Sequence, residues 1–167
     1  MVLKGRAWKF GDNISTDHII PGRFYHLRSD LAELAKHVFE DITPGFYKKV
    51  HKGDIIVGGH NFGLGSSREH APLVIKMAGI DAVVAGSFAR IFYRNAINVG
   101  LAAIICDVEG IDEGDTLELR VEEGVLSDST KGIKRNFSPL SPIMSDILRA
   151  GGLVPYIKKY GELRVGG

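Results

Sequence analysis

The feature that most constrains the fold is a strand, loop and helix pattern that occurs twice in succession between Ile55 and Cys106. The apolar run Ile55 to Val57 has the composition of a strand buried on both faces. A loop dense in glycine follows, then a segment from about Glu69 to Ala78 with helical spacing that closes at Gly79. Ala82 to Ala85 is a second buried strand. Ser87 stands as the N-cap of a helix over Phe88 to Asn98, Gly100 stops it, and Leu101 to Cys106 is a third strand. Strands alternating with helices of this length predict parallel pairing through right-handed crossovers, hence an α/β fold with a mostly parallel sheet flanked by helices.

The flanking segments add to this core. Val2 to Phe10 reads as a strand, and Gly11-Asp12-Asn13 as a turn before a loop bearing Ser15-Thr16-Asp17-His18. Asp30 caps a helix in which Leu31, Leu34, Ala35 and Val38 share one face, with Glu33 completing a capping-box pattern. Thr43-Pro44-Gly45 breaks the chain. Thr116 to Val121 alternates apolar and polar residues, and Glu123-Gly124 can return it as a hairpin. A last helix runs from about Pro142 to Ala150 and ends at Gly151-Gly152, before a tail with Lys158, Lys159 and Arg164 that is expected at the periphery. The 167 residues show no internal repeat or linker, consistent with one domain over the whole chain.

Charge and composition exclude several function classes. The sequence has 21 Lys and Arg against 20 Asp and Glu, a formal net charge of +1, and no long run of like charges, so electrostatic capture of nucleic acid or an anionic membrane is not expected. The longest uninterrupted apolar stretch, Leu101 to Cys106, is far short of the roughly 20 residues that span a bilayer, which points to a cytoplasmic protein. Cys106 is the single cysteine. It cannot form an internal disulfide, nor can it alone supply the thiolates of an iron-sulfur cluster. None of the six histidines lies three or four residues from another, so no metal site is expected on this chain.

The chemistry concentrates in Gly58 to His70. Four glycines, at 58, 59, 63 and 65, fall within eight positions, a density that suits a ligand lying against backbone. The loop leaves the end of a buried strand and enters a helix, the place where open α/β sheets bind ligands. Helix-start amides favour an anion, Ser66 and Ser67 add hydroxyl donors, and Arg68 offers a fork for a carboxylate or phosphate. The third glycine of a dinucleotide fingerprint, the Gly-Lys-Ser/Thr of a P-loop and a G-x-S-x-G elbow are all missing. A plainer reading has Ser66 or Ser67 capping the helix and Arg68 solvated.

Ser15 to Gly22 (STDHIIPG), Asn61 to Pro72 (NFGLGSSREHAP) and Ser87 to Ile91 (SFARI), three separated motifs in this order along the sequence, resemble the aconitase family over nearly the whole chain. The match is to the swivelling β/β/α domain, in the form that stands alone as a small subunit in the isopropylmalate and homoaconitate branches. The resemblance implies a hydro-lyase that moves a hydroxyl between adjacent carbons through an alkene, with a [4Fe-4S] cluster on a separate large subunit. It implies that Ser66 removes the C–H proton beside a carboxylate, that Ser67 and Arg68 hold that carboxylate, and that Asp17 supports the serine. His18, Asn61, Gly63, Gly65 and Arg90 would support the site. A serine hydroxyl is a weak base and needs N–H groups and positive charge around its alkoxide.

In that family the loop corresponding to Phe24 to Ser29 reads the variable part of the substrate. An apolar pocket suits the isopropyl group of isopropylmalate, whereas Arg28 would suit the extra carboxylate of homoaconitate. The expected activity is isomerisation of 2- and 3-isopropylmalate in leucine synthesis, with homoaconitate or dual specificity as the alternative. A non-catalytic anion-binding module and a purely assembling subunit are the readings from other classes.

Overall fold

The computed structural model describes residues 1–66 and 68–161. Its centre is a seven-stranded sheet in the order β4-β3-β2-β1-β5-β6-β7. The strands are β1 Val2–Lys9, β2 Ile55–Gly58, β3 Ala82–Ala85, β4 Ala102–Ile105, β5 Thr116–Arg120, β6 Val125–Asp128 and β7 Ile133–Asn136. Strands β1 to β4 are parallel, in the register Ala7↔Ile55, Ile55↔Ala82 and Ala82↔Ala102. Every residue of β2 and β3 is buried, which is why these strands read as unbroken apolar runs.

Helices α4 His70–Met77 and α5 Arg90–Val99 make the crossovers from β2 to β3 and from β3 to β4. Val74 and Ile75 of the first, and Phe92, Ala96 and Ile97 of the second, enter the core with the strand residues. Gly100 stops α5 in the left-handed conformation (φ +86°), as expected. The sheet continues antiparallel from β1 through β5, β6 and β7. Alternation in β5 buries Leu117 and Leu119 on one face, and Leu126 of β6 joins them. The expected hairpin is thus present and gains a third strand, β7, whose pattern is half-exposed and polar and carries little periodic signal.

The shorter helices are α1 Thr16–Ile19, α2 Leu31–Ala35 and α3 Phe46–Lys49, with a 3₁₀ segment at Gly22–Ser29 and α6 Pro142–Ala150. Asp30 caps α2 by accepting from the Glu33 amide at 3.2 Å, while the Glu33 carboxylate turns to Lys36 at 3.1 Å. Ser141 caps α6 and Pro142 occupies its first turn.

Two expectations change. Ser87 is not an N-cap: the chain stays extended to Ala89 (ψ 136°), and α5 begins at Arg90. The cause is aromatic packing, since Phe88 lies parallel to Phe92 at 6.2 Å and meets Phe62 edge-on at 6.0 Å. The Ser87 hydroxyl instead accepts from the Asn61 amide at 2.8 Å. The tail after Gly151-Gly152 is not merely peripheral either, because α7 Leu153–Tyr160 follows and buries Tyr156. A side chain on Gly152 (φ +132°) would meet the Asn98 carbonyl oxygen at 2.8 Å, so this glycine lets α7 start against the end of α5. Arg164 lies outside the described residues. Among those residues, no helix is long and apolar enough to cross a membrane.

Candidate active site

The loops after β1, β2 and β3 all emerge at the carboxyl edge of the parallel strands and are tied together there. Gly59 N donates to Gly11 O at 3.1 Å, Asn13 N to His60 O at 2.8 Å, and Gly86 N to Gly59 O at 2.9 Å. Asp12 Oδ1 accepts from His60 N at 2.7 Å. Further along, Gly63 N donates to Ile14 O at 2.6 Å and Thr16 N to Leu64 O at 2.8 Å, so the GLGSSR segment is laced to the chain ahead of α1.

This lacing requires glycine at two places. Gly63 has φ +86°, and a Cβ there would fall 2.2 Å from Cγ of Phe92. Gly65 has φ +107°, and its Cβ would approach Thr16 Oγ1 to 3.2 Å. Gly63 therefore lets the loop lie on the aromatic cluster, and Gly65 lets it pass close to Thr16.

Helix α1 is held by a reciprocal cap. Ser15 Oγ accepts from the His18 amide at 3.1 Å, and His18 Nδ1 accepts from the Ser15 amide at 2.9 Å. His18 thus plays the part usually taken by Glu or Gln at that position and fixes the start of α1. Asn61, at φ +57°, donates through its side chain to Asn13 Oδ1 at 3.2 Å and joins the same scaffold.

On this frame Ser66 Oγ lies 3.3 Å from the hydroxyl of Thr16, which is buried. The N-cap of α4 is Glu69, whose side chain makes no capping bond, so Ser66 is not serving as that helix's cap. Arg68 is the best-anchored cation of the site. Its Nη1 pairs with Asp17 Oδ1 at 2.9 Å and donates to Ile20 O at 3.2 Å, and its guanidinium lies 4.5 Å from the centre of the Tyr25 ring. Asp17, expected beside the serine, thus pairs with Arg68 and makes no hydrogen bond to Ser66 among the described residues.

Arg28 folds onto the same Tyr25 ring, at 4.9 Å, and donates to the Tyr25 carbonyl at 3.2 Å. Two hollows adjoin the serine. One, of about 260 Å³, is lined by Thr16, Gly63, Gly65, Ser66, Arg68 and Arg90 among others. The other, of about 390 Å³ and more open, is lined by Tyr25, Ser66, Arg68, Glu69 and His70. Ser66 and Arg68 border both. Ser67 lies outside the described residues.

Sequence reasoning missed Thr16 and the central place of Tyr25. A small hydroxyl beside the more conspicuous Asp17 gives no periodic signal, and only the tertiary crossing of residues 14–16 with 63–66 reveals it. Cys106 is free and buried, and burial pushes its thiol above the usual range. Among the described residues no group of three His, Cys, Asp or Glu side chains is arranged to hold a metal ion. With one cysteine in the sequence, the chain's own residues do not fit an iron-sulfur cluster.

Comparisons with known proteins give the family and the fold. The aconitase C-terminal domain profile matches residues 36–108. The 3-isopropylmalate dehydratase small subunit 2 of Archaeoglobus fulgidus is 59% identical over 165 residues, covering 99% of this chain and 100% of that protein. Small subunit 1 of the same enzyme from Thermotoga maritima is 59% identical over 162 residues, 96% of this chain and 98% of the relative. The crystal structure of 3-isopropylmalate dehydratase from Methanocaldococcus jannaschii superposes with a TM-score of 0.91 at 48% identity, covering 96% of each chain. A serine at a glycine-built strand edge, an anchored arginine beside it and this degree of likeness lead to one assignment: the chain belongs to the 3-isopropylmalate dehydratase small-subunit family, a branch of the aconitase-type hydro-lyases.

Proposed function

We propose that the chain supplies the proton-transfer and carboxylate-binding half of an active site that isomerises 2-isopropylmalate and 3-isopropylmalate by dehydration and rehydration, in the leucine pathway. A large subunit would carry the [4Fe-4S] cluster and complete the site, and the pair would work in the cytoplasm. The observation that carries this reading is the Ser66 hydroxyl placed beside the buried Thr16 hydroxyl, with Arg68 fixed next to it by Asp17.

In this reading Arg68, with Ser67, grips the carboxylate next to the carbon that loses its proton. Ser66 Oγ accepts that proton, and Thr16 can donate to the oxyanion that a basic serine requires. Pairing with Asp17 costs Arg68 some of its free charge but holds the guanidinium in one orientation, so less freedom is lost on binding. A dicarboxylate of this size fits the hollow between Tyr25 and His70, which borders both Ser66 and Arg68.

A second reading rests on Arg28. Its guanidinium shares the Tyr25 ring with that of Arg68, so a second cation stands beside the carboxylate grip, as an acid with one more carboxylate would use. Reconstitution with the cluster-bearing subunit, followed by rates on 3-isopropylmalate and cis-homoaconitate, tests both. Higher kcat/KM on isopropylmalate supports the first reading, and comparable values support dual use of Arg28. No turnover of isopropylmalate overturns the first.

A further inference from the structure

We infer that Tyr25 is a positioning residue that couples the carboxylate grip to the loop reading the rest of the substrate. This rests on the proposed function above and adds to it a residue and a physical link. The Tyr25 ring has three neighbours of functional weight. Arg68 lies 4.5 Å from its centre, Arg28 lies 4.9 Å from it, and the His70 ring meets it edge-on at 5.9 Å. The ring is thus a platform shared by two cations, one from the loop after β2 and one from the 3₁₀ segment Gly22–Ser29.

Each guanidinium is held against the Tyr25 ring, and the two differ in what else holds them. Asp17 pairs with Arg68, whereas among the described residues Arg28 has no acidic partner. The ring's π system attracts each cation, and more strongly once water is excluded. The carbonyl of Tyr25 adds a second hold on Arg28, at 3.2 Å. Closure of a partner over the open hollow would remove water from the ring and strengthen both contacts. His70, at the first turn of α4, has a buried Nδ1 with no hydrogen-bond partner. With no partner for that atom among the described residues, its edge-on contact with Tyr25 is a packing contact that helps to set the ring's orientation.

The consequence is that substrate affinity depends on the ring face more than on the phenol hydroxyl. Tyr25→Leu keeps much of the volume and removes the π face; Tyr25→Phe keeps the face. In the reconstituted complex, Tyr25→Leu is expected to raise KM for 3-isopropylmalate about tenfold with kcat within about threefold, which corresponds to about 1.4 kcal/mol. Tyr25→Phe is expected to bring KM back to within about twofold of the parent. The ratio of kcat/KM for cis-homoaconitate to that for isopropylmalate should also move in the leucine variant, because Arg28 loses its platform.

Equal damage from Phe and Leu would overturn the inference in favour of the hydroxyl, and an unchanged KM in the leucine variant would overturn it outright. A normal circular dichroism spectrum and subunit association separate these results from misfolding. The test is independent of the base assignment: full turnover in a Ser66 variant would remove the proposed role of Ser66 and leave the Tyr25 comparison readable through KM.

Discussion

Thr16→Val isolates the contribution of the one hydroxyl that faces the proposed base. Valine has nearly the shape of threonine, so the buried position next to Gly65 stays filled and only the hydroxyl is removed. The Thr16 to Ser66 separation of 3.3 Å is long for a hydroxyl pair, and a hydrogen bond to an oxyanion would shorten to about 2.5–2.7 Å. A neutral bond contributes about 1 kcal/mol net, and one to a charged group about 1.5–3 kcal/mol. The difference, about 0.5–2 kcal/mol, appears only when charge develops on Ser66. It corresponds to roughly a 2.3- to 30-fold fall in kcat, at 1.36 kcal/mol per factor of ten. Because Ser66 is exposed and can bond water in the variant, stability should change by less than about 1 kcal/mol. Steady-state kinetics of the reconstituted complex, with a thermal melt of the subunit, check both numbers. A kcat within twofold of the parent would refute the argument that Thr16 stabilises a charged Ser66.

Two further perturbations test the scaffold. Gly63→Ala combines a left-handed backbone, about 1 kcal/mol, with a Cβ driven into Phe92, about 1–3 kcal/mol; a fall in Tm of roughly 5–15 °C is expected by calorimetry, and a fall under 2 °C would contradict the packing described. Asp128→Asn addresses the buried carboxyl pair under the antiparallel strands. Burial and the neighbouring Asp115 push the Asp128 carboxyl above its usual range, while its Oδ1 accepts from the Thr130 and Lys131 amides. A raised carboxyl favours the fold at low pH and loses that contribution as pH rises through its shifted value. Asparagine keeps the acceptor and cannot ionise, so the variant should gain about 1 kcal/mol over the parent at pH 8 in denaturant titrations, with the gain vanishing near pH 4. A gain that grows on acidification would contradict this.

Much of the parallel half of the fold is legible in the sequence, because its signals are local. Ile55 to Val57, Ala82 to Ala85 and Gly100 declare buried strands and a helix stop without reference to distant residues. The Gly58 to Gly65 cluster marks the loop for the same reason: glycine is required where chain meets chain, and the structure shows Gly63 against Phe92 and Gly65 against Thr16. Ser87 misleads because its capping propensity is overridden by the stacking of Phe88 on Phe92. The half-exposed β7 has a weak periodic signal, whereas α7 is amphipathic but follows two glycines and carries Pro155 in its first turn, so its residues read as a tail. At the site, residue types point to Ser66 and Arg68, but the pairing of Asp17 with Arg68 and the approach of Thr16 to Ser66 join residues some 50 positions apart, and no spacing rule encodes them.

The central claim is that Ser66 moves the substrate proton. Ser66→Ala, combined with the cluster-bearing subunit and assayed on 3-isopropylmalate under single-turnover and steady-state conditions, measures this directly. The account predicts a loss of kcat of about 100-fold or more, with KM changed by no more than about threefold, since Arg68 still holds the carboxylate. Binding and near-full turnover in that variant would contradict it.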